Sequence, residues 1–168
     1  MEASIIENSS TNAFFKLVNN PLKFRLFLLQ KLPAAYFAGL RVEKVNEEKA
    51  IVSVPFKWFT KNPFRSTYFA CLSMAAEMST GILAMANIYK VKPPVSMLIT
   101  RMEGKFYKKA TGKTKFVCKD GDTIKKAIQM AMSAAQSQTI TTTSTGYNTN
   151  NETVAEFMFT WSFKAKKT

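Results

Sequence analysis

In the run Tyr68-Phe-Ala-Cys-Leu-Ser-Met-Ala-Ala-Glu-Met-Ser-Thr-Gly-Ile-Leu-Ala-Met-Ala-Asn87, Glu77 is the single charge. If the run is helical, no basic residue lies within two turns of it. A carboxyl in apolar surroundings resists ionisation, which moves it toward the working range of a general base. The competing reading is a structural acid, hydrogen-bonded to Ser, Thr or backbone groups and fixing the register of helices at a dimer interface. Asn62, in Asn62-Pro63, is by itself an ordinary turn starter. The 168 residues include no histidine. Serine and cysteine triads that depend on imidazole are therefore excluded, and a zinc site is not expected. Acid–base chemistry falls to Asp, Glu, Lys, Tyr or Cys. Cys71 and Cys118 form no CxxC pair, which suits a reduced, cytoplasmic protein with no bound metal.

The elements that must position these residues are legible from periodicity. Ser9-Ser10-Thr11-Asn12 offers N-cap residues before an amphipathic segment that runs from Phe14 to Lys31, with Pro21 expected to kink or split it. Its aromatics, with Lys16, Lys23, Arg25 and Lys31, suit a membrane surface, although such helices more often pack on their own domain. From Leu40 the period becomes two: Leu40, Val42, Val52, Val54 and Phe56 alternate with Arg41, Glu43 and Ser53, as strands do. Ser66-Thr67 are candidate caps for the apolar helix, which should end near Tyr89, before Lys92-Pro93-Pro94. A long strand is expected over 96–109, with Leu98, Met102 and Phe106 on one face. A short strand follows at 115–118, then a helix over 123–136 and strands over 139–145 and 154–163. Only a buried helix can be apolar nearly all round, so the fold class is α+β, an antiparallel sheet wrapped around the helix at 66–89.

The 24 Lys and Arg against 11 Asp and Glu leave a net charge of +13. That balance raises anionic partners, though scattered lysines chiefly confer solubility. A nucleic-acid binder needs aromatics interleaved with lysines on an exposed strand, and Phe106-Tyr107-Lys108-Lys109 is the single candidate, so no nucleic acid is expected. Gly112-Lys113-Thr114 joins two strands and has Tyr107 where a phosphate loop needs its first glycine. Glu77, with Ser73, Ser79, Thr80, Gly81 and Asn87, would be costly against lipid, so no transmembrane segment is expected.

The segment Asn62-Pro-Phe-Arg-Ser-Thr-Tyr-Phe-Ala-Cys-Leu-Ser-Met-Ala-Ala-Glu77 resembles the Asn-x-x-Gly-x-x-His-Gly-Gly…Asp/Glu motif of hotdog-fold thioesterases of the phenylacetate-pathway type. Asn62 falls on its Asn and Glu77 on its acid without a gap. Phe106-Tyr-Lys-Lys-Ala-Thr-Gly112 is similar to the end of the third strand in the same family. The chain departs from the motif at Tyr68-Phe69-Ala70, where the family has His-Gly-Gly, and at Arg65, where it has Gly.

The resemblance implies a single hotdog domain over 1–168, with an N-terminal helical extension (1–35) and a hotdog core (36–168). It implies a cytoplasmic homodimer or homotetramer that hydrolyses the thioester of an acyl-CoA; coenzyme A enters as part of the substrate, with no separate cofactor. Glu77 would act as base on water or as nucleophile, Asn62 would orient the water or hold the carboxylate, and the Phe69 N–H would form the oxyanion hole. Tyr68, Met74 and Ser96 are candidates to touch the acyl group, and Arg65, with Lys61, Lys108, Lys109 or Lys113, to hold coenzyme A phosphates. The alternative is a hotdog protein that binds an acyl-CoA or fatty acyl group without turning it over, which the bulky Phe69 favours.

Overall fold

The computed structural model describes residues 2–134 and 136–166, with side chains from Ser10 onward. Its elements are α1 (Glu2–Val18), α2 (Pro21–Lys31), α3 (Pro33–Ala38), β1 (Arg41–Val45), β2 (Ala50–Val54), α4 (Phe69–Ile88), β3 (Val95–Phe106), β4 (Thr114–Cys118), α5 (Gly121–Ala134), β5 (Gln138–Tyr147) and β6 (Thr153–Ala165). A single 3₁₀ turn, Trp58–Thr60, lies between β2 and α4. The strands form one sheet in the order β1-β2-β4-β5-β6-β3, every neighbouring pair antiparallel. This is the expected α+β arrangement, a sheet curved around α4, which touches β2, β4, β5, β6 and β3.

α4 is buried because it has no polar face to give to water. Cys71, Leu72, Ala75, Ala76, Met78, Ile82, Leu83, Ala84 and Ala86 are all enclosed. It is the one helix among the described residues long and apolar enough to cross a membrane, and it lies mostly inside the protein. Opposite it, β6 presents Phe157, Phe159, Trp161 and Phe163, the alternate residues of one face, all buried. The hydroxyls of α4 find partners in this core. Trp161 Nε1 donates to Thr80 Oγ1 at 3.1 Å, and Ser79 and Ser144 share a 2.7 Å hydrogen bond.

Three expectations are corrected. The N-terminal helix begins at Glu2, so Ser10, Thr11 and Asn12 lie inside it rather than capping it; Thr11 Oγ1 instead donates to Ala86 O of α4 at 3.1 Å. The side chain of Ser9 lies outside the described residues. Ser66 and Thr67 do not cap α4, whose N-cap is Tyr68 with no side-chain hydrogen bond. Leu98, Met102 and Phe106 do not share a face. The register of β3 on β6 shifts between Ile99 and Arg101, so Leu98 pairs with Ser162 whereas Met102 pairs with Phe159. The extra residue turns the second half of β3 over, bringing Met102 and Phe106 to the helix-facing side. Pro21 splits the N-terminal segment as expected: α1 ends at Val18, and Asn20 Oδ1 accepts from Lys23 N at 3.0 Å to cap α2.

Candidate functional site

The loop before α4 is built on Asn62. Its Oδ1 accepts from the Phe64 and Ser66 amides at 3.0 and 3.2 Å, and its Nδ2 lies 3.1 Å from Ser66 Oγ. Thr67 is held across the fold, donating from Oγ1 to Ala110 O at 3.0 Å while its amide donates to the same carbonyl at 2.7 Å. With Ser66 and Thr67 so engaged, nothing caps the helix that begins at Phe69. The Phe69 and Ala70 amides have no acceptor among the described residues. They sit at the positive end of a 20-residue helix, where orphan donors favour an anion or a developing oxyanion.

Phe69 borders a cleft of about 490 Å³ lined also by Asn62, Phe64, Tyr68, Leu72, Phe106, Lys108 and Lys109. Phe106 stands over Phe157 edge-to-face at 5.5 Å, and Tyr68 and Phe69 meet the same way at 5.0 Å. Lys108 is ion-paired with Glu152, whereas Lys109 and the Arg65 guanidinium have no partner among the described residues. Arg65 has φ +58°, the left-handed region, at the position where the motif has glycine.

Glu77 lies in different surroundings. It is two turns further along α4, about 12 Å from Phe69. Its side chain borders a partly open space of about 60 Å³ formed with Phe14, Phe24, Phe27, Met78, Met85 and Met97. It also borders a wider one of about 210 Å³ reaching Lys31, Leu32, Pro33 and Met74. No described group donates to its carboxylate, because Ser79 and Thr80 spend their hydroxyls elsewhere. Burial pushes its pKa above the ordinary 4.5. Gly81, one turn on, makes room for the acid: a methyl there would stand 3.1 Å from Glu77 Oε1.

The structure thus sorts the candidate residues into two groups. Asn62, Tyr68 and Phe69 line the cleft, with Arg65 in the loop that forms its wall. Glu77 and Met74 belong to the chamber under the N-terminal helices. Ser96 joins neither: its Oγ donates to Lys164 O at 3.1 Å, at the far end of β3 from Phe106. Sequence reasoning missed the Ala70 amide, the α2 residues Phe24 and Phe27 that roof Glu77, and Gly81. Of these, only Gly81 carried a readable signal, its i+4 spacing from the acid.

Comparison with solved structures places this arrangement. A Pseudomonas aeruginosa protein of unknown function, described as a probable thioesterase, matches with a TM-score of 0.73 at 18% identity over 87% of this chain and 97% of its own. A Chlorobaculum tepidum protein of unknown function matches with a TM-score of 0.71 at 15% identity over 89% of this chain and 99% of its own. A Haemophilus influenzae thioesterase matches at 0.57 and 12% identity over 83% and 88%. At such identities the likeness establishes the hotdog fold and leaves the reaction open. No curated protein matches the chain by sequence. Residues 22–163, from α2 into β6, match the family model described as Domain of unknown function (DUF4442), and the chain belongs to that family, with the hotdog fold.

Proposed function

We propose that this protein is a cytoplasmic thioesterase that hydrolyses an acyl-CoA as a homodimer or larger homo-oligomer. One observation carries the reading: among the described residues, α4 holds both an unpaired carboxyl raised in pKa by burial and, at its N-terminus, two amides with no acceptor. These are the base or nucleophile and the oxyanion donors that acyl transfer needs. About 12 Å of helix separates them, too far for one thioester carbonyl to meet both in one subunit. A second copy must bring its Glu77 to the first copy's amides. The edge strand β3, with Leu98, Met102 and Phe106 all about half exposed or more, is the surface on which that copy would pair.

As a base, Glu77 takes a proton from water as its oxygen attacks the carbonyl carbon. The carbonyl oxygen gathers charge against the Phe69 and Ala70 amides. The C–S bond then breaks, and the proton passes to the leaving thiolate. As a nucleophile, the carboxylate attacks directly, expels the thiolate and leaves a mixed anhydride that water cleaves. Lys109 at the cleft and Arg65 in the loop beside it, without partners among the described residues, are suited to the phosphates of coenzyme A.

A second reading, binding of an acyl-CoA without turnover, is favoured by Asn62. Its side chain is occupied in its own loop, with no capacity left to accept from an attacking water through Oδ1. Coenzyme A release from short, long and aromatic acyl-CoAs, native protein against Glu77→Gln, decides between them. Hydrolysis predicts turnover that falls at least about 100-fold in a folded Glu77→Gln. Binding alone predicts tight association with no release from any substrate.

A further inference from the structure

We propose that the outward face of α2 docks on an anionic lipid bilayer. The proposal does not depend on turnover. α2 is apolar on two sides. Phe24 and Leu28 are buried against the domain at 6% and 0% exposure, yet Leu22, Leu26 and Leu29 stand out at 72%, 53% and 41%. Those three leucines recur at i, i+4 and i+7 and so form one stripe along the helix. Leu32, 46% exposed, follows at its end. Four large aliphatic side chains held in water on one short element mark an interaction surface.

The charge around the stripe names the partner. Lys23 borders it on one side and Arg25 on the other. Between Glu7 and Glu43 the chain has no acidic residue, while it carries Lys16, Lys23, Arg25, Lys31 and Arg41. None of the α1–α3 basic groups makes an ion pair among the described residues; Arg25 lies 4.1 Å over the Tyr36 ring. An apolar stripe bordered by lysine and arginine is the pattern of a helix lying in a lipid headgroup layer. The 11 residues of α2 extend about 16 Å, half of a hydrocarbon core, so the helix lies in the interface and does not span it. A second copy is a poorer occupant, since self-pairing would set these cations against one another with no carboxylate to answer them. The inner face of the same helix supplies Phe24 and Phe27 to the chamber at Glu77. One helix therefore has the chamber on one side and the docking surface on the other.

The test is co-sedimentation of the full chain with vesicles of phosphatidylcholine alone and of phosphatidylcholine mixed with phosphatidylglycerol. Native protein is expected to pellet with the mixed vesicles only, and less so at high salt. Leu22→Ser/Leu26→Ser/Leu29→Ser should lower the partition coefficient at least about tenfold with the chain still folded, since these side chains are 41–72% exposed. Lys23→Glu/Arg25→Glu should lower it too, and decides the matter if the serine variant folds poorly. Absence of native protein from the mixed-vesicle pellet would overturn the proposal. So would serine-variant binding equal to native, which would leave only scattered surface charge. A serine variant that changes oligomeric state, with no native vesicle binding, would make the face an interface between copies.

Discussion

Glu77→Gln keeps the shape of the side chain and removes its charge, and its effect on stability depends on pH in a direction the structure dictates. Burial raises the Glu77 pKa above the ordinary 4.5, with no donor to offset it. Well below pH 4.5 the acid is neutral in both folded and unfolded chains and contributes nothing. As pH rises past 4.5 the unfolded chain releases this proton while the folded one keeps it, so the folded state binds more protons and loses stability. The loss stops once pH exceeds the raised folded pKa. Each pH unit of that window costs about 1.4 kcal/mol. A buried polar group without a partner costs about 1–3 kcal/mol, and an ionised one more. The variant should therefore gain at least about 1 kcal/mol on native protein between about pH 4 and about pH 8. In a chain of this length that is a melting-temperature difference of about 2–4 °C. Urea unfolding of both proteins, at equal protomer concentration and at the two pH values, measures it. Glu43 and Glu152 titrate alike in both proteins and cancel from the difference. If the variant instead loses ground to native as pH rises, the carboxylate has a cationic or hydrogen-bonding partner in the assembled protein. The acid is then structural, and the catalytic reading fails with it.

Other consequences are as specific. Gly81→Ala would place a methyl 3.1 Å from Glu77 Oε1 and 3.7 Å from Trp161. It should displace the carboxylate and cut turnover at least about tenfold, while the helix gains up to about 1 kcal/mol from its better helix former. Unchanged kinetics would separate the position of the acid from activity. Arg65→Gly relieves a φ of +58° and should stabilise the fold by about 0.5–1 kcal/mol in urea, while raising KM for coenzyme A thioesters with kcat preserved. A loss of stability would instead mean that the guanidinium has a structural partner in the assembly. Cys118 is buried with its thiol pushed up to about 12 by burial, and Cys71 is buried and shifted the same way. Iodoacetamide at about pH 8 should therefore label neither in native protein and both in denaturant, as mass spectrometry would read directly.

The positions of helices and strands were legible because they rest on local chemistry. A two-residue period, a proline at 21 and an apolar run with one carboxylate are each a property of neighbours in the chain. Burial of α4 followed from the same logic, since a helix with no polar face has nowhere else to go. The site was legible only as a set of names. Thr67 looked like a helix cap, but its hydroxyl goes to Ala110 O, 43 residues away, and no local rule predicts that competition. It leaves the Phe69 and Ala70 amides without an acceptor among the described residues.

The bulge near Thr100 is similar. Spacing by four put Leu98 and Met102 on one face, and a single unpaired residue puts them on opposite ones. The roof over Glu77 was hidden for the same reason: Phe24 and Phe27 are some fifty residues upstream, and only packing brings them to the acid. By itself the sequence determined that one acid would be drawn largely out of water, because a lone carboxylate in an apolar helix follows the helix inward. Tertiary structure decided what faces that acid and which amides stay unpaired, because a hydrogen bond or a cavity wall depends on where distant groups end up.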